Sequence, residues 1–176
     1  MAERCASAYA GDMNAPSLPL TVNRLVIVRT ANRISLALLD EAAGLALTGP
    51  LRVLDGGNCI NIYPLARALR RRTVALSAAL RNVRLSRAFT CYQMLALLTE
   101  TPADGTPTLA LDLLGTFYDE SVPLYESQRL LRLAILELLR LRAGGPLTVS
   151  ARPPGQLAAN RQPLYETLLS VAEELR

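Results

Sequence analysis

Short apolar runs rich in β-branched residues alternate with stretches of helical periodicity along most of this chain. The runs VNRLVIVR (22–29), LRVLD (51–55), RNVRLSR (81–87), TLALDLL (108–114) and PLTVSA (146–151) suit strands buried on both faces. After them, ISLALLDEAAGLAL (34–47), INIYPLARALRRR (60–72), TCYQMLALLTE (90–100), VPLYESQRLLRLAILELLRLRA (122–143) and LYETLLSVAEEL (164–175) repeat apolar residues at helical spacing. Gly49-Pro50 stops the first of these helices, and Gly144-Gly145-Pro146 stops the fourth. Five strands alternating with five helices predict a three-layer α/β/α domain built on a mainly parallel five-stranded sheet. In such a sheet the strand carboxyl ends share one edge, and ligands gather there. The domain is expected over 21–176. Residues 1–20 mix small residues, prolines and scattered charges without periodicity, and read as a mobile arm.

Composition then narrows the chemistry. Hydrophobic residues make up 51% of the 176 and charged residues 19%, enough for a sizeable core and contrary to disorder. All 19 basic residues are arginine against 15 acidic ones, a net charge of +4, and the chain contains no lysine, histidine or tryptophan. These absences exclude lysine Schiff bases, lysine-based phosphate loops, histidine bases and metal sites, and any Ser-His-Asp triad. Cys5, Cys59 and Cys91 stand at no metal-ligand spacing, so no metal or other cofactor is expected. The N-terminus lacks a signal-type apolar run and no segment reaches about 18 continuous apolar residues. A cytoplasmic protein without membrane contact is the expectation.

Three stretches carry a family likeness. In NVRLSRAFTCYQMLALL (82–98), Arg87, Ala88, Phe89 and Gln93 stand where the RecA/RadA recombinases have a strand and helix of the form "nv.yaRAfn...Q..ll". RVLDGGNCINIYPLARALRRR (52–72) is similar to the family's strand with an acidic turn and following helix. TLALDLLGTFYDE (108–120) resembles the Walker B strand, with Asp112 at its carboxyl end. The likeness covers about residues 22–153 and implies a RecA-like P-loop NTPase fold.

The departures from that pattern fall on its catalytic parts. A phosphate-binding loop needs close-packed glycines, a lysine and a Ser/Thr hydroxyl on magnesium. The corresponding stretch here is VRTANRISL (28–36), without glycine. Where the family's catalytic glutamate is expected, Asp55 is followed by Gly56, Gly57 and Asn58. The polar sensor after the fifth strand is replaced by Ser150, Ala151 and Arg152. The resemblance therefore implies a degenerate member without ATPase activity.

Each candidate residue has a functional and a structural reading. Arg29, Thr30 and Arg33 are candidate anion contacts at a helix N-terminus, or ordinary surface residues. Asp112 is a candidate magnesium ligand, or a strand-end cap. Asp55, Gly56, Gly57 and Asn58 read foremost as a tight turn capped by Asn58 or Asn61, and second as backbone amides offered to a ligand. Gln93 is expected to satisfy a buried backbone group, and Phe89, Cys59 and Cys91 to pack in the core.

Arg67, Arg70, Arg71, Arg72, Arg81, Arg84 and Arg87 place seven cations within 21 residues and no carboxylate among them. Six of these, Arg70, Arg71, Arg72, Arg81, Arg84 and Arg87, form a candidate basic interaction face. Nucleic-acid phosphate is one natural partner, and a solvated helix end is the plainer reading. The stretch 114–128, where the recombinases carry a DNA-binding loop, is acidic and lacks any basic residue. Strand exchange is therefore not expected.

The leading functional expectation is a non-catalytic RecA/RadA-like accessory in DNA recombination or repair that binds a protein partner, with weak nucleic-acid contact as a second possibility. A residual nucleotide-binding enzyme using Arg29, Arg33 and Asp112, and a structural homo-oligomer joined through its long helices, are the alternatives.

Overall fold

A computed structural model describes residues 25–31 and 35–176. The expected arm and Arg33 lie outside the described residues.

The strands are β1 (Leu25–Arg29), β2 (Leu51–Asp55), β3 (Val83–Arg87), β4 (Thr108–Leu111), β5 (Leu147–Ala151) and β6 (Glu174–Leu175). Four of the strands described are short, buried, mostly apolar runs closed by a charge or a turn, whereas the edge strands β3 and β6 are polar and partly exposed. Every pairing is parallel, in the order β3-β2-β4-β5-β1-β6. Among the described residues the sheet therefore has six strands rather than five. Residues expected to finish the last helix instead leave it and pair with β1, where Val26 registers with Glu174 and Ile27 with Leu175. Glu173 holds that turn, its carboxylate accepting the Leu25 amide N–H at 2.9 Å.

Among the described residues, six α-helices cover the two faces. Helices α1 (Leu36–Thr48), α2 (Ile62–Arg70) and α3 (Leu76–Asn82) lie on one side, with a core that includes Val26, Leu38, Val53, Leu65 and Leu109. On the other side, α4 (Cys91–Glu100), α5 (Leu124–Gly144) and α6 (Gln162–Ser170) bury Ile27, Leu54, Met94, Phe117 and Leu138. This is a three-layer α/β/α arrangement. Among the described residues, no helix is long and apolar enough to cross a membrane.

Local chemistry sets the helix starts. Ser35 caps α1 by accepting the Leu38 N–H at 3.2 Å, and Asn61 caps α2 by accepting from Tyr63 at 2.9 Å. Of the two cap candidates read in the sequence, Asn61 is the one used. Thr90 accepts from the Gln93 amide at 3.2 Å, and the Gln93 side chain reaches back to accept the Phe89 N–H at 2.8 Å. That reciprocal Thr-x-x-Gln arrangement resembles a capping box and starts α4. Gln93 thus serves an exposed helix end rather than a buried backbone group.

Four other expectations shift. The strand expected over 81–87 begins at Val83, because Arg81 and Asn82 still belong to α3, a helix that the apolar periodicity does not announce. The strand expected over 108–114 ends at Leu111, and a 3-10 helix occupies Leu113–Tyr118. The stretch after β5, expected as a loop, contains a second 3-10 helix over Gln156–Arg161. The expected last helix (164–175) is α6, which starts at Gln162 and stops at Ser170.

Candidate functional site at the carboxyl edge of the sheet

Because the paired strands all run the same way, the ends of β2 and β4 open on one edge, as the strand pattern implies. Asp55 registers with Leu111, and the Gly56 amide donates to the Leu111 carbonyl at 2.9 Å. The Ala88 amide bonds the Asp55 carbonyl at 3.1 Å, which brings the end of β3 alongside.

Asp55 is wholly buried and acts as the anchor of its own turn. Its Oδ1 accepts the Cys59 N–H at 2.9 Å and its Oδ2 the Ile60 N–H at 3.1 Å. Arg87 lies 3.4 Å from Oδ2 through Nε and donates from Nη2 to the Ile60 carbonyl at 2.8 Å. Arg87, the arginine of the family-like stretch, is therefore a brace between β3 and the turn after β2. Cys59 donates its thiol to Asp55 at 3.2 Å, and is half-buried, packed against the margin of the α1–α3 core. Burial, then the Asp55 charge, pushes that thiol well above its ordinary range, so it is not a nucleophile at neutral pH.

Asp112 is equally buried and sits in the left-handed region, at φ 44°. Its amide donates to Ser150 Oγ at 2.8 Å, and its Oδ2 accepts from Arg152 Nε at 3.0 Å. Two of the three residues at the expected polar sensor thus hold Asp112, Ser150 at its backbone amide and Arg152 at its carboxylate. Glycines close around it. A Cβ on Gly57 would fall 2.1 Å from Asp112 Oδ2, and one on Gly115 2.9 Å from Gly57 Cα. The Asp55-Gly56-Gly57-Asn58 run is a packing device, in which Gly57 lets one strand-end turn lie against the carboxylate of the next.

Above these glycines lies a cleft of about 330 Å³, bordered by the Gly56–Asn58 turn, Ala88, Phe89, Thr116, Tyr118, Asp119 and Arg152. Tyr118 donates its hydroxyl to the Arg152 carbonyl at 2.7 Å, and burial pushes the phenol well above its ordinary range. Phe89, expected in the core, is 66% exposed. It follows an edge strand at the rim, and most of its ring stays uncovered by the described residues, whereas Cys91 two residues on is buried as expected.

The other candidate residues lie apart from this cleft. Thr30 is buried, with its amide donating to the Ala151 carbonyl at 2.9 Å, while Arg29 ends β1. Of the basic face, Arg71 and Arg72 pair with Asp40 at 3.7 and 2.8 Å, and Arg87 with Asp55. Arg70, Arg81 and Arg84 are exposed and make no ion pair among the described residues.

Arg161 is a site residue that no sequence pattern marks. It is 2% exposed and donates to Ser127 Oγ at 3.1 Å and to the carbonyls of Asp119 and Val122 at 3.1 and 2.6 Å. Arg161 thereby pins the loop that carries Asp119 to the rim. Among the described residues, no group of three or more Cys, Asp or Glu side chains converges as metal ligands. No protein-family model matches the chain, and no curated protein is significantly similar to it.

Proposed function

We propose that this chain is a RecA/RadA-like domain without catalysis, an accessory in DNA recombination or repair that binds a protein partner at the carboxyl edge of its sheet. The observation that carries this reading is the Asp112–Arg152 pair. The carboxylate that would help hold magnesium in an active relative is wholly buried, bonded to an arginine and walled by glycine backbone. Asp55, at the position nearest the family's catalytic glutamate, spends both oxygens on its turn and on Arg87. With neither carboxylate facing a substrate, the edge offers a recognition surface rather than a reaction centre. The parallel placement of β2 beside β4 supports the RecA-like reading of the fold.

The test mixes the chain with a RecA/RadA-type recombinase on single-stranded DNA and follows co-sedimentation and ATP turnover. The expected result is retention on the recombinase filament and no turnover by the chain alone. ATP hydrolysis by the chain alone would overturn the non-catalytic reading.

A further inference from the structure

Helix α5 carries leucines on two sides. Leu131, Ala134 and Leu138 are buried in the core, while on the outer side Leu136 is 61% exposed and Leu133 39%. Single exposed leucines are ordinary. The charges around these two are not. Glu126 and Arg140 stand seven residues either side of Leu133, and Arg129 and Glu137 stand four residues either side. Those offsets return to the face of Leu133 within about 40° of rotation. Within the chain, Glu126 holds Arg129 at 2.8 Å and Glu137 holds Arg140 at 2.6 Å, each pair one turn apart. Arg140 also donates to the carbonyls of Leu98 and Thr101 at the end of α4, at 2.8 and 2.9 Å, which fixes its guanidinium beside that helix.

Such a stripe is its own complement. When two copies of α5 lie antiparallel about a twofold axis through Leu133, each residue before Leu133 in one copy faces the residue equally far after it in the other. Glu126 then meets Arg140 of the second copy and Arg129 meets its Glu137, each contact made twice. Every carboxylate comes to lie between two arginines. Leu133 meets itself on the axis, and Leu136 packs beside it. Arg132, about 100° round the helix from Leu133, stays in water. A parallel pairing would set like charges against each other, and a uniformly acidic or basic partner would meet its own sign at half of these positions.

We propose that the outer face of α5 is a homodimer surface, on which a second copy of this chain packs antiparallel across Leu133 and Leu136 with the four charged residues as its register. The surface lies on the outside of a helix layer rather than in the carboxyl-edge cleft, and it does not rest on the accessory reading. One helix pair about 30 Å long buries less than a standard interface, so the dimer is weak, with a Kd on the order of 10–100 μM.

Sedimentation equilibrium of the full chain at rising concentration tests the surface. The expected result is a reversible monomer–dimer equilibrium that weakens in about 1 M salt, because the paired charges are near the surface. Leu136→Gln keeps a good helix former and should weaken association at least tenfold. Glu137→Arg sets an arginine against Arg129 of the second copy, and Arg129→Glu sets a glutamate against its Glu137. Each variant alone should therefore also associate at least tenfold more weakly. Mixed in equal amounts, the two restore opposite charges at every contact and should form a heterodimer about as tight as the unaltered pair. That recovery also shows that both variants are folded. Should a charge variant fail to fold, the Leu136→Gln result decides. An unaltered chain that stays monomeric at about 1 mM, a dimer insensitive to Leu136→Gln, or a mixture of folded charge variants no tighter than either alone would overturn the assignment. Co-sedimentation with a recombinase bears on the accessory reading only, so the two fail separately.

Discussion

Arg152 Nε and Asp112 Oδ2 lie 3.0 Å apart and tie the residue after β5 to the residue after β4, with Asp112 wholly buried and the arginine side chain one-quarter exposed. Ser150 adds a second tie by accepting the Asp112 amide N–H. The charge at the strand end is thus balanced inside the fold, and the balance has a cost when broken.

Removing the arginine strands a buried carboxylate. Arg152→Gln is expected to destabilise the protein by about 2–3 kcal/mol, at or below the usual range for breaking a buried pair because Arg152 touches water. Adding Asp112→Asn to that variant should recover part of the loss. Urea melts of the two single variants and the double variant measure the coupling. A negligible loss in Arg152→Gln would mean that the pair does not hold the edge together.

The glycine wall makes a sharper steric claim. Gly57→Ala places a methyl group 2.1 Å from Asp112 Oδ2, and is expected to cost about 3 kcal/mol through forced displacement of both turns. Gly155, where a Cβ would meet nothing within 4 Å, gives the control. Gly155→Ala should be neutral or stabilise by up to about 1 kcal/mol through the unfolded chain. Thermal melts of the two variants should therefore move in different directions or differ widely in size.

The stability should also depend on pH through Glu41. Burial between α1 and the sheet raises its carboxyl from 4.5 to about 7, offset in part by the Thr148 hydroxyl and the Arg176 charge. Between those two values the unfolded chain has lost the proton while the folded chain keeps it. Stability contributed by this group is therefore full below pH 4.5 and is lost as pH rises through about 7. With no histidine in the chain, little else titrates from pH 5 to 8. Denaturant melts should show stability falling across this window, and Glu41→Gln should flatten the fall and be the more stable protein at pH 8.

The alternation of strands and helices is legible in the letters because strands buried on both faces leave nearly continuous apolar runs. Short elements without such runs escape. Glu174–Leu175 continues the helical period of residues 164–170, and only its pairing with β1 makes it a strand. Helix α3 has no side-chain cap and runs directly into β3. The Thr90-x-x-Gln93 spacing is readable as a helix start, and explains part of the family-like stretch without any ligand. Arg161 and the Asp112–Arg152 pair depend on partners 34 to 42 residues away in sequence, which no local pattern marks.

The basic face is thinner in space than in sequence. Arg71 and Arg72 share Asp40, so replacing both by Gln should cost less than about 1 kcal/mol, as exposed pairs do. If the face touches DNA, the phosphate contacts fall to Arg70, Arg81 and Arg84. The salt dependence of duplex binding should then have a log–log slope no steeper than about −3, and Gln at those three positions should abolish it. A much steeper slope would mean that the paired arginines leave Asp40 to bind.

Titration calorimetry with Mg-ATP decides whether the strand-end carboxylates serve the fold or a metal-nucleotide. No saturable heat is expected up to millimolar nucleotide, because Asp112 is already bonded to Arg152 and Asp55 to its own turn. Binding at tens of micromolar that disappears in a folded Asp112→Asn variant would contradict a purely structural role for these two residues.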